Sequence, residues 1–231
     1  MRPWEVIDHQ VVPDDDGVIY LMARGSEYAI HVNGRELMGN KMHGSEDALA
    51  DLACDRLASL EDARILIGGL GMGFTLAAAL RRIGPAGNAT VAELMPAVVE
   101  WNREYVGKAA KYPLKDSRVV VHIGDVGDLV EKPPALWSAI LLDVDNGPKS
   151  LTRPNNGWLY TREGLQAARD ALIPGGILAI WSADSDPGFT RRLRKARFEV
   201  EVLRHCEDGR PTYDESGEHV LWMARRPVND K

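Results

Sequence analysis

The chain is expected to fold as a doubly wound α/β protein. Its sheet should be mostly parallel and seven-stranded, with an antiparallel last strand and a small β appendage at the N-terminus. Three observations predict this. From Arg64 onward, short apolar runs alternate with segments of helical periodicity, the pattern of strands buried between helices. One run, Ile65 to Ile67, opens directly into a glycine-rich turn and an Ala/Leu-rich helix. The last two strand candidates are joined by a polar stretch, 205–217, with no helix between them, so they should pair antiparallel at one edge.

Residues 1–42 differ in character from the rest and form a first region, with 43–231 as the α/β domain. Val18 to Ala23 and Tyr28 to Val32 read as short strands. Asn33-Gly34, between HV and RELM, predicts a tight hairpin, because a type I′ turn needs positive φ at both central positions. Ser45 reads as a helix N-cap, with Glu46 and Asp47 at the positive end of the helix dipole. Leu49, Leu52, Ala53, Leu57 and Leu60 follow at helical spacing. The main-domain strands are expected at 64–67, 89–93, 118–122, 138–143, 177–182, 197–203 and 219–225. Helices are expected at 73–83, 96–107, 125–130, 161–172 and 187–195. Gly175-Gly176 after Pro174 reads as a helix stop and turn.

Composition narrows the function. The net charge of −6 argues against a broad basic surface for nucleic acid. The basic run Arg191, Arg192, Arg194, Lys195, Arg197 reads as a solvated helix face. Cys54 and Cys206 are far apart and form no CxxC pair, which speaks against a disulfide framework or zinc site and fits a reducing cytoplasm. The apolar stretches are strand-sized, too short to span a membrane, and MRPWEVIDHQ has no apolar run of a secretory signal.

The segment ILIGGLGMGFTLAAAL, residues 65–80, carries the chemistry. Glycines at 69, 71 and 73 let the backbone approach a ligand, and the helix that follows offers free N–H donors. Glu93 ends the next strand, where a carboxylate can accept both hydroxyls of a ribose. Asp125 follows the third strand, as a helix cap, an adenine contact, or both. A dinucleotide fingerprint would need glycine at position 74, where Phe74 stands, so a nucleoside without pyrophosphate fits better than NAD. Asp143 ends the fourth strand, at the edge where open α/β sheets place their chemistry. Asp143, Asp145 and Asn146 could bind Mg²⁺, but Asp/Asn-rich turns are common without one, and no metal is expected.

These segments resemble the spermidine synthase-like family, over roughly residues 30–182. GGLGMGFT is similar to its GGGDGGT, VAELMPAVVEWNREY to its acidic strand end and following helix, and SAILLDVDNGP to its fourth-strand motif. WLYTREG resembles its aromatic segment, and HGSEDALADLA the acidic helix before the nucleoside domain. The resemblance implies the Rossmann-like fold of class I S-adenosylmethionine-dependent methyltransferases, with S-adenosylmethionine or its decarboxylated form as cofactor. It implies Gly69, Gly71, Gly73, Glu93 and Asp125 as cofactor-binding residues and Asp143 as the carboxylate at the transfer centre. An amine acceptor, with pKa about 10, is mostly protonated at neutral pH. A carboxylate can hold it, aim it and take its proton.

Asp145, Trp158 and Tyr160 are expected on the acceptor side. Trp181 and Ser182 could touch the ligand, Trp181 being more at home in the core. His43, beside the family-like helix, could reach the pocket. The chain departs from the family in three places. Gly71 replaces an Asp of the glycine loop. Ala48, Leu49 and Ala50 stand where a Tyr and a His shape the acceptor side. Lys149 and Arg153 bring positive charge near the mouth and would attract a carboxylate. Methyl transfer from S-adenosylmethionine to a small nucleophile, an amine above all, is therefore put slightly ahead of aminopropyl transfer. The alternatives are an aminopropyltransferase proper, and a nucleoside-binding module without catalysis. A homodimer is the assembly to look for, since edge strands of the β region invite pairing.

Overall fold

The computed structural model describes residues 2–12, 17–131, 136–143, 155–205, 211–212 and 219–229. Asp145, Asn146, Lys149, Arg153 and Cys206 lie outside them.

The N-terminal region is a four-stranded antiparallel meander: β1 Glu5–Val11, β2 Val18–Arg24, β3 Glu27–Val32 and β4 Arg35–Gly39. The predicted hairpin joins β3 and β4, with Asn33 at φ 48° and Gly34 at φ 77°. The sequence reading missed β1. All but one of its residues are exposed, so no period of buried side chains marks it.

Helix α1, Gly44–Asp55, leads into the main sheet. Ser45 is not its N-cap. His43 holds that position, and Ser45 sits fully buried in the first turn, its hydroxyl donating to Glu46 Oε2 (2.7 Å).

The main sheet then alternates with helices: β5 Arg64–Gly68, α2 Phe74–Arg82, β6 Asn88–Glu93, α3 Pro96–Trp101, β7 Val119–Ile123, α4 Gly127–Val130, β8 Trp137–Leu142, α5 Arg162–Ala171, β9 Leu172–Ser182, α6 Pro187–Lys195, β10 Glu199–His205, β11 Pro211–Thr212 and β12 His219–Arg225. The strand order is β11-β10-β12-β9-β8-β5-β6-β7, with β11 only a two-residue edge piece. From β9 to β7 the pairs are parallel, and β12 is antiparallel to both β9 and β10. The expected antiparallel pair is therefore present. Gly175, at φ 81°, lies within the long strand β9, where the pairing with β8 shifts register, so the expected turn is a bulge.

Burial explains the parallel strands. Every residue of β8, WSAILL, is buried, as a strand covered on both faces requires. Arg118 closes α2 from outside: its guanidinium donates to the Leu80 and Ile83 carbonyls (2.9 and 2.8 Å), which the helix end leaves unpaired, and to both Asp116 oxygens.

Two features fix the glycine turn between β5 and α2. Gly69 N–H donates to the Ala92 carbonyl (2.9 Å), tying the turn to β6. After α3 the helix widens into one π turn, Asn102–Val106, and the buried Asn102 donates Nδ2–H to the carbonyls of Gly71 (2.7 Å) and Val98 (2.9 Å). Gly73 caps α2 at φ 85°, and a Cβ there would meet Asn102 Oδ1 and Pro113 Cγ at 3.0 Å. Gly73→Ala should therefore lower stability by about 1–3 kcal/mol, read as a shift in the denaturation midpoint. A midpoint equal to wild type would show that the turn relaxes freely.

Candidate functional site

A cavity of about 650 Å³ opens along the C-terminal ends of the parallel strands, roofed by the N-terminal meander. Open α/β sheets bind ligands at this edge, because strand ends and helix N-termini converge there. The first residue of β12 reaches it too, since that strand runs the other way.

One half of the cavity lies over β5, β6 and β7. Gly69 and Gly71 line it, while Gly73 packs behind the turn against Asn102 and Pro113. At Gly71, φ 51°, a Cβ would stand 2.8 Å from the Met38 thioether, so β4 lies directly on the turn. Glu93 is only 8% exposed. Its Oε2 accepts the Leu70 N–H (2.9 Å) and its Oε1 the Met95 N–H (2.8 Å). Burial raises its pKa, and the N–H groups of Met95, Leu70, Gly71 and Leu94 oppose that rise. Each oxygen has a second lone pair for a ligand hydroxyl. Asp125 lines the same half, and its Oδ1 accepts the Gly127 N–H (2.7 Å), pinning the start of α4.

The other half lies over β8, β9 and β12. Asp143 follows β8, and its N–H continues the ladder to the Gly68 carbonyl (3.0 Å). Its Oδ2 accepts the Thr75 hydroxyl (2.7 Å). The carboxyl is half-buried, and its pKa is pushed up to about 7, first by desolvation and then by the charge of Glu46; the Thr75 hydrogen bond works against the rise. Trp181 lines this half as well, its Nε1–H buried without a hydrogen-bond partner among the described residues, and its ring meets His219 edge-on at 4.7 Å. A buried donor of this kind on a cavity wall suits a ligand acceptor.

Not every expected residue lines the cavity. Tyr160 is turned into the core, edge-on to Phe189 at 5.5 Å, and Trp158 packs over Gly127. Leu159, between them, is the residue of that segment on the cavity wall. The segment forms a 3₁₀ turn, Asn155–Tyr160, which points neighbouring side chains in different directions. His43 is held away by stacking on Phe74 (3.9 Å) and by Asp47 Oδ2 (2.8 Å). Glu46, Met38, His219 and Asn102 escaped the sequence reading. No local pattern marks them: each acquires its place by long-range contact.

The cavity is acidic. Glu36, Glu46, Glu93, Asp125 and Asp143 line it, against Lys41, whose ammonium pairs with Glu27 (2.7 Å). Such a wall favours a cationic ligand. Among the described residues no cluster of three or more His, Cys, Asp or Glu is arranged to hold a metal, and no helix is long and apolar enough to cross a membrane.

No protein-family model matches the chain. It is 29% identical over 127 residues to a polyamine aminopropyltransferase of Korarchaeum cryptofilum strain OPF8, covering 54% of this chain and 37% of that protein. It is 30% identical over 159 residues to polyamine aminopropyltransferase 2 of Pseudomonas aeruginosa PAO1, covering 64% of this chain and 43% of the relative. The chain thus spans less than half the length of the curated relatives it matches. In structure it resembles the spermidine synthase of Thermotoga maritima, with TM-score 0.74 and 22% identity over 97% of this chain and 74% of that one. A spermidine synthase in complex with the transition-state analogue AdoDATO gives TM-score 0.73 at 22% identity, over 97% and 73% of the two chains. Over half or more of its sequence the chain is similar to polyamine aminopropyltransferases, and along nearly its whole length it has the fold of the solved spermidine synthases.

Proposed function

We propose that the protein is an aminopropyltransferase, moving an alkyl group from decarboxylated S-adenosylmethionine to a small amine. The observation that carries this reading is Asp143, poised near neutrality in an acidic cavity between the glycine turn and the acceptor half. Glu93 would hold the ribose, and Asp125 would lie near the adenine. The sulfonium supplies an electrophilic carbon. The acceptor ammonium gives one proton to Asp143, its nitrogen bonds to that carbon, and the C–S electron pair returns to sulfur as a neutral thioether. With its pKa near 7, Asp143 is ionised often enough to bind the ammonium and basic enough to take its proton.

The relatives weigh towards aminopropyl transfer, against the slight preference for methyl transfer drawn from Gly71 and Arg153. The cavity weighs the same way. A decarboxylated donor needs no fixed cation for an α-carboxylate, and Lys41, the one lysine or arginine on the described wall, is paired with Glu27. Titration calorimetry tests the choice. The decarboxylated donor is expected to bind at least about tenfold tighter than S-adenosylmethionine, a difference of about 1.4 kcal/mol. The reverse preference would restore methyl transfer. No binding of either would remove the donor site altogether.

A further inference from the structure

Glu46 shares the acceptor half with Asp143, and nothing so far gives it a role. Of the two acidic residues in the first turn of α1, Asp47 faces outward, tied to His43 (2.8 Å) and Arg81 (3.0 Å). Glu46 lines the cavity and makes no ion pair among the described residues. Its carboxylate is held by a relay. The buried Ser45 hydroxyl donates to Glu46 Oε2 (2.7 Å). That serine has one proton, so its oxygen accepts from His219 Nδ1 (2.9 Å), which must carry a hydrogen. His219 is in turn set edge-on against Trp181. The Thr75 hydroxyl, 2.7 Å from Asp143 Oδ2, also lies 3.5 Å from the Glu46 carbonyl, so α1 and the end of β8 meet at one side chain.

Glu46 and Asp143 line one cavity, α1 and the end of β8 meeting at Thr75, and neither makes an ion pair among the described residues, an arrangement that is costly unless a cation joins it. An alkylammonium fits. It has three N–H donors; two carboxylates can take two of them, and once Asp143 has removed one proton the amine turns about its C–N bond, an N–H still on Glu46, to aim the freed lone pair at the donor carbon. We propose that Glu46 is a second acceptor-binding carboxylate, forming with Asp143 a clamp for a primary ammonium group, and that Ser45 and His219 are positioning residues that aim it. This rests on the transferase reading above. It assigns the labour within the site: Asp143 takes the proton, and Glu46 keeps its charge and its hydrogen bond to the remaining N–H through the transfer. Asp143 is met by the Thr75 hydroxyl from α2 and by the charge of Glu46 from α1, and Trp181 of β9 and His219 of β12 line the same cavity.

The test uses the full chain, with 1,4-diaminobutane and n-butylamine as amine probes. Glu46→Gln should raise the KM for amine about tenfold or more, with a smaller change in kcat and unaltered affinity for the nucleoside donor. Its kcat/KM acid limb should move to lower pH, because Asp143 is freed from a neighbouring negative charge. Ser45→Ala should raise the amine KM about three- to tenfold. His219→Asn, which keeps an N–H near the place of Nδ1, should stay within about threefold of wild type, whereas His219→Leu should match Ser45→Ala. Carbon-13 NMR of the Asp143 carboxyl gives a readout free of turnover: its midpoint, near 7 in wild type, should fall in Glu46→Gln. An unchanged amine KM together with an unchanged Asp143 midpoint overturns the clamp. Absence of turnover in wild type, with the midpoint still falling in Glu46→Gln, would instead overturn the transferase reading and leave the coupled pair standing. Should Glu46→Gln not fold, Ser45→Ala and the two His219 variants decide the case on the same readouts.

Discussion

Asp143→Asn is expected to do two opposite things at once. Transfer should fall about 10²–10⁴-fold, the usual worth of a positioned general base. Donor affinity should hold, since Glu93 and the glycine turn are untouched. At the same time the fold should gain stability at neutral and alkaline pH. The sign follows from the pKa. In the unfolded chain the carboxyl ionises near 3.9, and in the folded protein near 7. Below about pH 4 both states hold the proton and Asp143 costs nothing. As pH rises towards 7 the unfolded state loses its proton first, so stability drains away across that window and stays low above it. A three-unit shift would amount to about 4 kcal/mol; allowing for solvent in the cavity, the loss should be on the order of 2 kcal/mol. The asparagine keeps an acceptor for Thr75 and has no charge to desolvate. Its melting temperature should therefore exceed wild type by about 5 °C at pH 8 and match it at pH 4. Equal offsets at both pH values would show that Asp143 ionises without penalty. Full turnover in the variant would remove Asp143 from the transfer step.

Glu93→Gln should cost more than its small change in shape suggests. Both carboxylate oxygens accept backbone N–H groups, from Leu70 and Met95. A glutamine can present oxygen to only one of them, and its NH₂ then faces the other donor. One buried amide left unsatisfied costs about 1–3 kcal/mol. The glycine turn is hung from these bonds, so donor affinity should fall about 10- to 100-fold, measured by calorimetry with the decarboxylated nucleoside. An affinity within twofold of wild type would separate Glu93 from the ligand.

The fold was legible where burial leaves a local trace. Ile65 to Ile67 and Ala139 to Leu142 are uniformly apolar because helices cover both faces of those strands, and Asn33-Gly34 advertises its own backbone conformation. The edge strand β1 leaves no such trace, since it buries almost nothing. In the site, Glu93, Asp125 and Asp143 stand at strand ends, where position alone suggests chemistry. Glu46 looked like a charge serving the helix dipole, and only the contact of His219 with Ser45, 174 positions apart, shows the bond network around it. Trp158 and Tyr160 are read from an aromatic segment just beyond the fourth strand, and within it the 3₁₀ turn sets Leu159 on the cavity wall. Asp145 lies outside the described residues, and its part in acceptor binding stays a proposal.

The contact of Met38 with Gly71 couples two positions from different sheets. The thioether stands 2.8 Å from where a first side-chain carbon would sit, so a side chain in the turn would push aside the flexible end of Met38. The left-handed backbone at position 71, φ 51°, is then the stricter demand for glycine, and the roof over the turn can yield where the turn itself cannot.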